Sequence, residues 1–213
     1  NITTNANFRE DQPIAFAVGP DGTRAVAVGW MDNLSNYPQI ISMTTLAATQ
    51  TALDNGTFDR EAQTGAADNG SIFAAAAWAN DGSAGGALWV SLSVDNSTGG
   101  FQMLKFVDNG TAVSTWSKHR GADADNITSM SITLDKDDYL PVVAMGKDLG
   151  NGDIQVFKYD NSTSTMTEWM SNDSANSAGM PISIAGSADG STFALGYVAT
   201  SGDNATVHIF YDE

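Results

Sequence analysis

A four-fold repeat constrains the fold of this chain more than any other feature of its sequence. An Asn-x-Thr tripeptide recurs at Asn1, Asn55, Asn109 and Asn161, at intervals of 54, 54 and 52 residues. The spacing divides the 213 residues into repeats 1–54, 55–108, 109–160 and 161–213. Self-similarity at such a period indicates one supersecondary unit copied along the chain, so we expect a single repeat domain spanning residues 1–213.

Each repeat contains three short apolar runs separated by turn-forming Gly, Asp, Asn or Ser. The runs are 13–18, 25–30 and 39–46, then 72–78, 87–94 and 101–107, then 130–134, 140–145 and 154–159, and finally 182–185, 193–199 and 207–211. Runs of this length predict strands joined by hairpin turns, and no segment shows sustained helical periodicity. A weaker fourth strand is expected after each Asn-x-Thr turn, ending near Phe8, Phe58, Trp116 and Trp169.

Four antiparallel strands per repeat are the pattern of a propeller blade. The sequence therefore predicts an all-β chain that forms a four-bladed β-propeller of four-stranded antiparallel sheets. The small residues of 73–77 and 184–186 would suit innermost strands crowded around a narrow axis. A Greek-key sandwich or another repeat β-fold is the alternative.

One turn motif resembles a known group of propellers. Residues 18–28 carry Gly19-Pro20-Asp21-Gly22-Thr23, which resembles the Asp-Gly hairpin turn of YVTN-type and WD-repeat-like propellers, and residues 187–193 resemble it too. The third repeat departs from the pattern with Asp137-Asp138. The resemblance implies a propeller fold and transfers no active site.

The repeat register has a consequence for the two ends of the chain. Segment 2–10 is predicted to be a fourth strand with no third strand before it, and run 207–211 a third strand with no fourth strand after it. We expect the N-terminal segment to complete the last blade. It would pair either within its own chain or in a neighbouring copy, which would build an open filament.

The net negative charge of the chain excludes some classes of binding partner. The chain has 9 Lys plus Arg against 25 Asp plus Glu, a formal net charge of −16. Such a surface repels phosphate backbones and anionic lipid, so neither nucleic acid nor a membrane is expected as a partner. The chain has no cysteine, and no apolar run approaches the roughly 20 residues of a spanning helix.

Sequons for N-glycosylation are more frequent than the composition would place by chance. They occur at Asn1, Asn33, Asn55, Asn69, Asn96, Asn109, Asn126, Asn161, Asn172 and Asn204. Several lie in Asp-Asn-Gly-Thr or Asp-Asn-Ser-Thr stretches, which favour exposed turns. We therefore expect an extracellular or cell-surface glycoprotein whose partners include N-linked glycans.

No catalytic signature is recognisable. His119 and His208 have no metal-binding spacing, and the acidic stretches 123–126 and 148–153 fall short of a calcium loop. We expect no catalytic residue, no metal site, no cofactor and no enzymatic activity. The function predicted is a structural subunit of a fibre or surface assembly, a homopolymer of copies joined by terminal strand exchange. The alternative is a small lectin-like or adhesive ligand-binding propeller.

Overall fold

The regular structure in the described part of the chain consists of β-strands. A computed structural model describes residues 15–19, 25–30, 38–43, 50–52, 74–79, 86–93, 101–108, 113–121, 127–135, 139–147, 153–172, 181–199 and 204–212. These residues form fifteen strands, all of them paired antiparallel. None of them belongs to a helix that is long and apolar enough to cross a membrane. The prediction of an all-β chain with antiparallel sheets is confirmed.

The strands form four sheets, each a meander in which neighbours in sequence are neighbours in space. Sheet I contains β1 (Ala15–Val18), β2 (Ala25–Trp30), β3 (Pro38–Met43) and β4 (Gln50–Ala52). Sheet II contains β5 (Ala74–Ala79), β6 (Ala87–Ser93), β7 (Phe101–Asp108) and β8 (Val113–Gly121). Sheet III contains β9 (Ile127–Leu134), β10 (Pro141–Lys147), β11 (Ile154–Asp160) and β12 (Thr165–Asn172). Sheet IV contains, in its described part, β13 (Ser183–Gly186), β14 (Thr192–Ala199) and β15 (Asn204–Tyr211).

The outer strand of sheet I precedes the position predicted for it, and the predicted strand ending near Phe58 lies outside the described residues. In sheets II and III the outer strands β8 and β12 come after Asn109 and Asn161 in the sequence, as expected. In sheet I the outer strand is β4, which pairs with β3 from Met43 opposite Gln50 and so precedes Asn55. This pairing places the β-branched Thr51 opposite Ser42, on the edge that β3 offers to a further strand.

The sheets pack face to face in chain order. The first strand of each sheet is its innermost, with β1 beside β5, β5 beside β9, and β9 beside β13. Between sheets II and III, Trp89 and Met103 pack in one cluster with Met145, Phe157 and Tyr159. The rings of Trp89 and Tyr159 lie 5.0 Å apart. Because sheet III lies between sheets II and IV, both faces of its strand β10 are covered and all seven residues of that strand are buried.

The junction between sheets III and IV combines apolar packing with directional hydrogen bonds. Val142 and Ile154 of sheet III pack in one cluster with Ile184, Phe193 and Leu195 of sheet IV. On the innermost strands, Ile184 N donates to Ser131 Oγ at 3.1 Å, and Gly186 N donates to Thr133 Oγ1 at 3.1 Å. These bonds fix the position of sheet IV relative to sheet III along the direction of the innermost strands. Apolar contacts alone would not do this, because they are not directional.

Segment 2–10, predicted to complete the last sheet, lies outside the described residues. In the described part of sheet IV, β15 is the last strand, and it pairs with β14 alone. The predicted hairpin between third and fourth strands is present in sheet III as the turn 161–164.

Candidate functional site

A cleft of about 490 Å³ opens on the outer side of sheet III, beside β11 and β12. Its lining includes Leu140, Lys158, Asn161, Thr167, Glu168 and Trp169. Lys158 comes from β11, Asn161 from the β11–β12 turn, and the last three from β12. The antiparallel pairing of these two strands therefore positions most of the site, with Phe157 opposite Glu168 and Lys158 opposite Thr167.

Lys158 links sheets III and IV at this cleft. Its Nζ lies 2.7 Å from the Asp135 carboxylate, which follows β9 and is 2% exposed, and it also binds the carboxylate of Asp212, directly after β15. Burial works to lower the pKa of Lys158, but the hydrogen bonds and charges of both carboxylates outweigh it and raise the pKa above 10.5. The ammonium is therefore charged at physiological pH.

Trp169 supplies the aromatic surface of the cleft. Its ring packs in T-shaped contacts with Phe193 at 5.3 Å and with Phe210 at 5.0 Å, both in sheet IV. Lys158 Nζ lies 5.6 Å from the ring centroid, a cation–π distance. The indole is only partly buried. It is thus held rigidly across the sheet junction and still has surface in contact with solvent.

The turn at the mouth of the cleft is ordered by its own side chains. The Asp160 carboxylate accepts hydrogen bonds from Ser162 N at 2.8 Å and from Ser162 Oγ at 2.6 Å. These bonds hold the pKa of Asp160 below its usual value. Thr163 and Thr165 share a hydrogen bond of 2.8 Å between their hydroxyls. Asn161 is exposed at this turn and lies at the edge of the cleft.

The structure describes three of the ten sequon asparagines. Asn161 and Asn204 are exposed, and Asn172 is the last residue of β12. The other seven, Asn1, Asn33, Asn55, Asn69, Asn96, Asn109 and Asn126, lie outside the described residues, as do 123–126 and 148–152 of the two acidic stretches. No group of three or more His, Asp or Glu that could hold a metal occurs among the residues described.

The sequence analysis did not predict the cluster that Lys158 forms with Asp135, Asp212 and Trp169. Trp169 was interpreted as a strand-end aromatic, and its contacts with Phe193 and Phe210 agree with that in part. Lys158, Asp135 and Asp212 share no sequence pattern, because they belong to separate segments of the chain and, for Asp212, to a different repeat. One signal was available: lysines stand in the third strand of two successive repeats, at Lys105 and Lys158, and both lie over a Trp ring.

Comparison with known proteins assigns the fold. No protein family matches the sequence, and no curated protein sequence does. Among solved structures, the chain is similar to the six-bladed fucose-recognising lectin of the fungus Aleuria aurantia, with 14% identity and a TM-score of 0.58 over 98% of this chain. AofleA from Arthrobotrys oligospora matches 99% of the chain with 10% identity and a TM-score of 0.59.

An enzyme has the same fold. The GH43 endo-arabinanase of Bacillus licheniformis matches 98% of the chain with 14% identity and a TM-score of 0.52, over 72% of its own length. The chain spans 62% of the Aleuria lectin and 57% of AofleA, so it corresponds to about three fifths of those proteins. At these identities the likeness shows the fold alone, which is a β-propeller.

Proposed function

We propose that this chain is a lectin-like β-propeller domain that binds carbohydrate in the cleft formed by Lys158, Thr167, Glu168 and Trp169. The observation that carries the proposal is the partly exposed Trp169 ring, fixed beside the Lys158 ion-pair cluster at the junction of two sheets. The described strands form four sheets, which supports a contribution of four blades by this chain.

The chemistry of the cleft suits a sugar ring. The apolar C–H face of a pyranose can lie against the part of the indole that remains accessible, as amphipathic ligands do on aromatic side chains. Its hydroxyl groups can then bond to the Glu168 carboxylate, the Thr167 hydroxyl and the Asn161 amide, all exposed at the rim. A rigid apolar surface with a few convergent polar groups is the usual composition of a small-molecule site.

The lectin-like function has more support than the fibre function that the sequence analysis placed first. The Aleuria lectin, whose structure is described as having a novel mode of fucose recognition, has the same fold over nearly the whole chain. The arabinanase shows that this fold also serves catalysis. We propose binding without catalysis, with the carboxylates of Asp135 and Asp212 both engaged by the Lys158 ammonium.

The setting we propose is extracellular. Ten sequons and a net charge of −16 support a glycan-coated, soluble surface rather than one that binds nucleic acid or lipid. The exposure of Asn161 and Asn204 supports modification at those two positions, since an acceptor side chain has to be accessible.

A glycan array followed by calorimetric titration of the best ligand tests the function. We expect retention of a defined set of glycans, and loss of most of the affinity in Thr167→Ala and Glu168→Gln, whose side chains are exposed at the cleft. Ser171→Ala is the matched control, because Ser171 is exposed on the same strand and does not line the cleft. Absence of binding to every glycan, or equal loss in the control, would contradict the proposal.

A further inference from the structure

One predicted glycosylation site lies at the edge of the proposed sugar cleft. Asn161 begins the sequon Asn161-Ser162-Thr163, and it is among the residues that line the cleft beside β11 and β12. Asn161 and Thr163 are both exposed, so the two side chains that define the sequon are accessible in the folded chain. A glycan linked to Asn161 would therefore begin at the proposed binding site.

The turn that carries Asn161 has a defined conformation. Asp160 pairs with Thr165 at the ends of β11 and β12, so a four-residue turn that begins with Asn161 closes the hairpin. Ser164 has a φ of 56°, which lies in the left-handed region used by tight turns. The Asp160 carboxylate accepts hydrogen bonds from the backbone and the hydroxyl of Ser162. The attachment point of a glycan thus keeps a fixed position relative to the cleft.

The cleft extends from this turn along β12 to Trp169. Thr167, Glu168 and Trp169 all line it, and Trp169 comes four residues after Thr165. Four residues of an extended strand span about 14 Å. A single sugar ring on the indole is much shorter than this span, whereas an oligosaccharide attached at the turn can lie over Thr167 and Glu168 and place a further ring on Trp169. The cleft volume of about 490 Å³ lies within the range of sites for ligands of that size.

We propose that the N-glycan of Asn161 is itself a ligand of this cleft and competes there with glycans from outside the chain. Its first sugars would lie against Thr167 and Glu168, and a later pyranose ring against the accessible part of the Trp169 indole. This role rests on the proposed sugar-binding function, because the same side chains would hold both kinds of glycan. Glycosylation of Asn161 would then weaken the binding of free sugar, and the unmodified chain would bind it at full affinity.

The covalent link gives the attached glycan an advantage over a free one. A ligand on a short flexible tether has an effective concentration on the order of 1 mM at its site. If the dissociation constant of the cleft for this glycan is about 0.1 mM, the tethered glycan fills the cleft about nine-tenths of the time, and the apparent affinity for a free competitor falls about tenfold. A glycan directed into solvent is the alternative, and it would leave the affinity for free sugar unchanged.

Calorimetric titration of glycosylated and unglycosylated protein tests the competition. The probe is the oligosaccharide released by hydrazinolysis from the glycosylated wild type. The wild-type chain is made in a host that N-glycosylates and in one that does not, and peptide mass spectrometry verifies the occupancy of Asn161. Thr163→Ala, made in the glycosylating host, removes the sequon and retains Asn161, whereas Thr163→Ser retains both. Thr163 is exposed and is not among the residues that line the cleft, so both variants should fold, as circular dichroism would verify.

We expect the unglycosylated wild type and the glycosylated Thr163→Ala to bind the probe with equal affinity, and the glycosylated wild type to bind it about tenfold more weakly. Thr163→Ser should behave as the glycosylated wild type does. Asn204→Gln is a further control that should do the same, because Asn204 is exposed and is not among the residues that line the cleft. In the glycosylated wild type without added probe, nuclear Overhauser contacts should connect sugar protons with the Trp169 indole.

The outcomes separate this role from the sugar-binding function on which it rests. Equal affinity of the glycosylated and unglycosylated wild type would overturn the role of the Asn161 glycan and leave sugar binding intact, and so would an Asn161 that carries no glycan in native material. A loss of affinity without contacts to Trp169 would show that the glycan only obstructs the cleft from outside, and this also overturns its role as a ligand. An unglycosylated chain that binds neither the probe nor any glycan of an array would contradict the sugar-binding function, and the competition with it.

Discussion

The ammonium of Lys158 in sheet III binds the carboxylate of Asp212, which directly follows the last strand of sheet IV. The same ammonium nitrogen lies 2.7 Å from the carboxylate of Asp135. This three-residue cluster joins strands that are far apart in sequence. Lys158 also lines the proposed sugar cleft. Its contribution to stability can be separated from its contribution to binding by varying the pH without ligand.

Lys158→Met should lower the free energy of unfolding by about 2–3 kcal/mol at neutral pH, because both carboxylates lose a charged donor. The folded-state pKa of Lys158 is raised above its ordinary value of 10.5. The stability it contributes is therefore fully present below pH 10.5 and is lost as the pH rises through the folded-state pKa. The unfolding free energies of wild type and variant, measured by urea titration, should converge above pH 10.5. A difference between them that stays constant below and above that pH would contradict a stabilising role for the Lys158 charge.

Ser131→Ala should destabilise the fold by about 1–2 kcal/mol, because the buried junction loses the acceptor for Ile184 N. Ser129→Ala is the matched control on the same strand. Ser129 is buried, and its Oγ makes no hydrogen bond within the described residues, so removing it should be neutral or stabilising. Chemical denaturation of the two variants gives the comparison. Equal losses in both would mean that the inter-sheet bond contributes nothing.

Two glycines of sheet IV should respond differently to an added methyl group. A Cβ at Gly186 would lie 3.2 Å from Leu134 O and 3.2 Å from Phe193 Cε1, so Gly186→Ala should cost about 1–3 kcal/mol. A Cβ at Gly196 would meet Ser183 O at 3.9 Å, an ordinary contact. Gly196→Ala should therefore be neutral or slightly stabilising. The melting temperatures of the two variants check this, and the reverse order would contradict the packing at the III–IV junction.

Asp189 should stabilise its turn in a pH-dependent way. Its carboxylate accepts hydrogen bonds from Ser187 Oγ and from Ser191 N and Oγ, which hold the pKa of Asp189 below 3.8. The stability it contributes is present above pH 3.8 and is lost as the pH falls through the lower folded-state pKa. Asp189→Asn should melt at a lower temperature than wild type at neutral pH, and the two curves should approach each other in acid. A difference that does not change with pH would exclude a role for the charge.

Asn161→Gln should reduce the mass of native protein by one glycan. Asn161 is exposed at an ordered turn whose Thr163 supplies the hydroxyl of the sequon. Intact mass spectrometry of native material should show species above the 22.3 kDa of the bare chain, and a smaller increment in the variant. A native mass equal to 22.3 kDa would remove the case for N-glycosylation.

The repeat spacing was sufficient to predict most strands. The run 25–30 coincides with β2, and the predicted runs in sheets II to IV fall within two or three residues of the observed strands for most elements. These features depend on local alternation and turn residues, which repeat in each unit. The outer strand of sheet I was misplaced, because the pairing of Met43 with Gln50 is chosen by an exposed edge and leaves no strong local pattern.

The cleft beside β11 and β12 could not be predicted from the sequence patterns. Its geometry depends on how far sheet IV is rotated against sheet III, which brings Asp212 to Lys158 and Phe210 to Trp169. No spacing within one repeat encodes that rotation. It follows from the packing of Phe193 and Leu195 against Val142 and Ile154, which depends on the side chains of two repeats at once.

The meander order of the sheets has a consequence for how the chain folds. Every strand of a described sheet pairs with its sequence neighbours, so the hairpin contacts close short loops and cost little entropy. Topologies dominated by such local contacts fold faster than β-proteins with distant pairings. Each sheet can therefore form soon after its last strand leaves the ribosome, and the growing domain would add one sheet at a time onto an apolar surface already in place.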